Sequence, residues 1–130
     1  MKAEGRSEDR RKPPRDLRER TTEFALRIVR MFAALPKTTE AQVLGKQVLR
    51  SGTSVGAHYR EASRARSKKE FASRLEGGLA ELEEATYWLE LLARAGIVDA
   101  ARVQPLRDEA DELLRIFVTS SRTAKGERYS

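Results

Sequence analysis

The chain has 130 residues, 39% of them hydrophobic and 35% charged, with a formal net charge of +6, which describes one domain with a modest core under an ionic surface. It has no cysteine, which excludes disulfides, thiolate metal sites and thiol catalysis and fits a reducing compartment. Its longest apolar run, residues 31–35, is far short of the roughly 20 residues that cross a bilayer, and the charged N-terminus lacks a signal peptide's apolar stretch, so the expectation is a soluble cytoplasmic protein with no membrane partner.

Residues 1–15, MKAEGRSEDRRKPPR, are charged, carry two prolines and have almost nothing apolar, and read as a disordered basic arm. A first helix is predicted over residues 16–35, with Asp16 capping and Glu19 answering three residues later. Its apolar line is Leu17, Thr21, Phe24, Ile28, Met31 or Phe32, and Leu35, closed by Pro36. Thr39 with Gln42 offers a start for a second helix running to about Arg64. Along it Ala41, Gly45, Val48, Gly52, Val55, Tyr59 and Ala62 recur in alternating steps of four and three, one packing seam. Glycine costs a helix interior about 1 kcal/mol relative to alanine, so Gly45, Gly52 and Gly56 call for compensation by close approach of a neighbouring helix. The competing reading is a turn at residues 51–54 that splits the segment in two.

Ser67 and Glu70 form a cleaner capping box and open the most periodic segment, in which Phe71, Leu75, Gly78, Leu82, Ala85, Leu89 and Leu92 hold a seven-residue repeat. Gly96 suits a left-handed stop, and Asp99 caps a fourth helix carrying Val103, Leu106, Ala110, Leu113 and Phe117 and ending near Ser120. The prediction is an all-α fold, an antiparallel up-and-down four-helix bundle over residues 16–120, with a polar tail over 121–130. The third helix is apolar on more than one face near Tyr87, Trp88 and Leu91. Either these residues form an oligomer interface or that helix occupies the interior of the bundle.

Charge is segregated. Residues 46–74 carry eight Lys or Arg against two Asp or Glu, whereas residues 75–112 carry three against ten. Opposite second and third helices suit subunit pairing, an anionic partner, or both. Lys46, Arg50, Thr53, Ala57, Arg60 and Arg64 lie roughly opposite the packing seam, and Arg66, Lys68, Lys69 and Arg74 continue the basic cluster past the second helix. Lys46, Arg50, Arg60, Arg64, Arg66, Lys68, Lys69 and Arg74 are therefore the candidate nucleic-acid-binding residues, acting on a polyanion without sequence readout. Arg6, Arg10, Arg11, Lys12 and Arg15 add arm cations. The competing reading is a solvated basic face that serves solubility or pairs with the acidic third helix.

Catalytic and metal signatures are missing. Di-metal bundles need paired Glu-x-x-His motifs, and this chain has a single histidine, His58. Glu81 and Glu84 share a helix face without a partner histidine and read as surface or interface carboxylates. The glycines lack the lysine-serine signature of a phosphate loop. A ribonuclease built on His58 is disfavoured because Arg50 lies too far ahead of it, with seven residues between, and Arg60 follows it. No catalytic residue, cofactor or metal ligand is assigned.

SGTSVGAHYREASRA, over residues 51–65, with Glu70, Phe71 and the run YWLELL over residues 87–92, resembles the small bacterial bundle proteins related to 23S ribosomal-RNA intervening-sequence proteins. It is also similar to the accessory variability protein of diversity-generating retroelements. The resemblance covers most of the chain and implies up-and-down bundles that assemble into homo-oligomeric, pentameric rings. For the retroelement relative it implies engagement of nucleic acid and a reverse transcriptase. Asparagine is common in the family where His58 stands, and threonine where Ala85 stands. The resulting expectation is a non-catalytic basic oligomer that binds RNA or DNA with low sequence preference, an accessory factor to a reverse transcriptase in one version. The alternative is a protein-protein adaptor whose nucleic-acid affinity is incidental.

Overall fold

The computed structural model describes residues 13–126. Four helices account for most of them: α1 (Pro13–Ala33), α2 (Thr39–Ser63), α3 (Lys68–Arg94) and α4 (Ala100–Ala124). Loops of only four or five residues force each helix to run back along its predecessor, which gives an antiparallel up-and-down bundle. The α2–α3 interface is the most extensive, and α1 meets α4 only sparsely.

The helix ends show where local chemistry decided the boundaries. Helix α1 starts at Pro13, ahead of Asp16, so Asp16 falls within the first turn and not at the cap position. Proline suits a first helical position because its φ is already helical and the donor it lacks has no intrahelical partner there. The remainder of the predicted arm, residues 1–12, lies outside the described residues. At the other end α1 tightens after Ala33, where Ala34 and Leu35 donate to the carbonyls of Met31 and Phe32, before Pro36 stops it. The α2 cap is Thr38, one residue earlier than expected, whose Oγ1 accepts from the Ala41 amide at 3.3 Å. Gln42, expected to answer the cap, donates instead to the Pro36 carbonyl at 2.8 Å.

Ser67 caps α3 as expected, accepting from the Glu70 amide at 3.0 Å. Gly96 adopts φ +74° after α3, and Asp99 caps α4 by accepting from the Ala101 amide. Helix α4 continues past Ser120 to Ala124, shortening the expected tail, because Ser121 is buried and donates to Glu76 of α3, which also holds Lys125.

Helix α2 is unbroken through residues 51–54, which removes the turn reading. Every member of its seam is buried, together with Ser51 and Gly56. The glycines admit α1 at close range: a Cβ on Gly52 meets Ile28 Cγ1 at 2.9 Å, one on Gly45 meets Phe32 Cδ1 at 2.9 Å, and one on Gly56 meets Thr21 Oγ1 at 3.2 Å. The intrinsic cost of these glycines is thus offset by packing. Phe24 and Ile28 of α1, Val48 and Val55 of α2, Leu75, Leu82, Leu89 and Leu92 of α3, and Leu113 and Phe117 of α4 are fully buried. Each buried side chain of this size contributes about 1.5–3 kcal/mol.

Candidate nucleic-acid interface

The candidate cations leave α2 and α3 on their outer faces because the inner faces carry the glycine and leucine seams. Their local environments divide them into two groups. Arg50 reaches across to α3, where its guanidinium donates to Glu84 at 2.5 Å and lies 3.5 Å from Glu81. Arg74 lies 3.6 Å from Glu61 and 3.8 Å from Glu70. Arg60 is half-buried and donates to the Thr22 hydroxyl of α1 at 3.2 Å. Arg50 and Arg74 thus have their charge opposed by carboxylates, and Arg60 is tied down by a neighbouring helix.

Lys46, Arg64, Arg66, Lys68 and Lys69 differ. All five are exposed and make no ion pair among the described residues. Four of them crowd the α2–α3 turn. The turn is held by Ser67 and by Glu70, whose Oε1 accepts from the Arg66 amide at 3.1 Å, and by the Arg64 and Ala65 amides, which donate to Glu61 and Ala62. The cations are therefore presented on a defined backbone.

Up-and-down topology brings further cations to this end that sequence proximity does not reveal. Arg18, near the start of α1, is exposed and acts on Tyr59, and Arg122, near the end of α4, is exposed at the same end of the bundle. Burial raises the Tyr59 phenol above its usual pKa, against smaller lowering by Ser63 and Arg18. A cavity of about 340 Å³ lies beneath the turn, lined by Tyr59, Ser63, Phe71 and Ser120 among others. The arm cations Arg6, Arg10, Arg11 and Lys12 lie outside the described residues.

His58 occupies the middle of the α2–α3 face. Its ring lies over Gly77, where a Cβ would stand 2.8 Å from Cε1 and Nδ1. Nδ1 is 3.8 Å from Glu61 and Nε2 is 3.9 Å from Glu81, ion-pair range but too long for hydrogen bonds. Arg60 points away to α1, and Arg50 is engaged by Glu84 and by Glu81, the latter shared with the ring. Farther along, Tyr87 is 53% exposed and its ring lies tilted at 58° with its centroid 5.0 Å from that of Trp88, which is half-buried like Leu91. The register of the Arg50–Glu84 pair places Val43, 56% exposed, level with Leu91, each one heptad from the paired residue of its helix. Among the described residues no helix is long and apolar enough to cross a membrane.

A four-helix up-and-down bundle with one strongly cationic end is thus the class that fold and surface define. The chain belongs to the 23S rRNA-intervening sequence protein family, whose profile matches residues 16–119. It is similar to a crystal structure of a protein with unknown function from the S23 ribosomal protein family of Bacteroides thetaiotaomicron VPI-5482, with 35% identity and a TM-score of 0.74. That match covers 78% of this chain and 94% of the other. The comparison with curated proteins gives no match.

Proposed function

We propose that the protein is a non-catalytic, homo-oligomeric nucleic-acid-binding bundle that grips RNA or DNA through its α2–α3 turn with little sequence preference. The observation that carries this reading is the set Arg64, Arg66, Lys68 and Lys69, exposed on a capped turn and free of ion pairs among the described residues. Cations in that state attract a phosphate backbone and release its counterions, a mechanism that needs no base contact. Lys46 is a separate exposed cation in the second turn of α2, at the other end of that helix, and Arg18 and Arg122 widen the surface at the bundle end. Exposed aromatic rings are few, so backbone charge and not stacking dominates.

Association of copies, pentameric by family resemblance, is supported by the apolar strip of Val43, Tyr87, Trp88 and Leu91. Repeating the basic turn around a ring multiplies affinity through effective concentration. A reverse transcriptase is a further partner on the same resemblance. The test is binding of labelled single-stranded RNA and DNA to the full chain at about 50 mM salt, with light scattering on the same sample. Binding of either nucleic acid that weakens steeply with salt supports the proposal, and failure of both removes it. A protein partner recovered from the native host after nuclease treatment, with no direct nucleic-acid binding, favours the adaptor reading.

A further inference from the structure

The bundle is least closed where α1 meets α4, and a groove of about 390 Å³ opens there between the last turns of α1 and the first turns of α4. Its floor is aliphatic, built from Met31, Leu35, Ile97, Val98 and Leu106. Pro105 forms part of the α4 wall and, having no N–H, adds no backbone donor to it. Arg27 and Arg30 stand about one turn apart on α1, and Arg102 stands on α4 across from them. None of the three makes an ion pair among the described residues. Asp99 is the one acidic residue in the lining, and its Oδ1 is engaged in capping α4 through the Ala101 amide.

Three guanidiniums without carboxylate partners around an aliphatic floor define a ligand by complementarity. The rim favours an anionic head group, because a guanidinium offers paired donors matched to carboxylate or phosphate oxygens. The floor favours an aliphatic body, and the volume is within the range of small-molecule sites. A nucleobase fits poorly, since no aromatic side chain lines the groove to stack on it. We propose that this groove binds a small amphipathic anion, with a carboxylate or phosphate head held by Arg27, Arg30 and Arg102 and an aliphatic body laid on Met31, Ile97 and Val98. The site is at the opposite end of the bundle from the α2–α3 turn and stands independently of the nucleic-acid reading.

The test is titration of the full chain with decanoate, decyl phosphate and uncharged decanol, followed by methyl and backbone NMR shifts. The expected result is saturable shifts for one or both anions, confined to Met31, Leu35, Ile97, Val98 and Leu106, with a dissociation constant below about 1 mM. An Arg27→Gln, Arg102→Gln double variant, checked by its melting curve, weakens that binding at least about tenfold, and decanol binds at least about tenfold more weakly than the better anion. The tighter of the two anions identifies the head group. Equal binding by the double variant, equal binding of decanol, or shifts located elsewhere overturns the proposal.

Discussion

The α2–α3 face and the α2–α3 turn both carry arginines, yet their charge is used differently. On the face, Arg50 near the middle of α2 is met by Glu81 and Glu84, and Arg74, two turns into α3, by Glu61 and Glu70, so opposite charges bind one helix to the next. At the turn, Arg64, Arg66, Lys68 and Lys69 are exposed at the end of α2 and the start of α3, and the two carboxylates beside them, Glu61 and Glu70, face Arg74, with Glu70 also accepting from the Arg66 amide. A count along the chain treats these cations alike. The fold separates them into charge that holds the bundle and charge that is available to a partner.

The largest expected effect comes from reversing the turn. Replacing Arg64, Arg66, Lys68 and Lys69 with Glu lowers affinity for single-stranded RNA by about 100-fold or more, measured by fluorescence anisotropy at moderate salt, and the salt dependence flattens because fewer phosphates are neutralised. Because these groups are exposed and make no ion pair among the described residues, the melting temperature stays near that of the parent. Gly77→Val tests the other region: its side chain drives into His58, and overpacking of this kind costs about 1–3 kcal/mol, read from urea unfolding with RNA affinity retained. Smaller again is Arg50→Ala, an exposed pair expected to cost less than about 1 kcal/mol and to change RNA affinity less than any single substitution at the turn.

The smallest effect concerns Glu76. The hydrogen bond from Lys125 is the main cause holding its carboxyl below the usual carboxylate range. In the window between the folded and unfolded pKa values the unfolded chain binds more protons, so stability falls as pH falls. The contribution is in place above about pH 4.3 and is lost as pH drops through the lower folded value. Glu76→Gln removes this part of the acid sensitivity, a small change in melting temperature between about pH 5.5 and about pH 3 that added salt diminishes.

The bundle was legible because the seams of all four helices keep helical phase, and Val48, Val55, Leu75, Leu82, Leu89, Leu113 and Phe117 are buried as that phase requires. The glycine seam also announced the close approach of a neighbouring helix, although that this helix is α1, and that Ile28, Phe32 and Thr21 face the glycines, emerges only in three dimensions. Helix ends were less legible. Two adjacent threonines compete to cap α2, and Pro13 reads equally well as part of an arm or as the first residue of a helix. The candidate interface was half legible. Arg64, Arg66, Lys68 and Lys69 sit in one short stretch, whereas the partner of Arg50 is 34 positions away and that of Arg60 is 38 positions away. Arg18 and Arg122 were missed because only topology brings the two ends of the chain's helical region to this turn.

Measuring RNA affinity against salt for the parent, a Lys68→Glu, Lys69→Glu pair and an Arg50→Glu, Arg74→Glu pair tests the separation of the two regions most directly. The account expects the logarithmic salt slope to become shallower by about 1.4 for the turn pair, near 0.7 for each single-strand phosphate no longer neutralised, and to remain close to the parental value for the face pair. An equal flattening of the slope in the two pairs, or a larger one in the face pair, contradicts it.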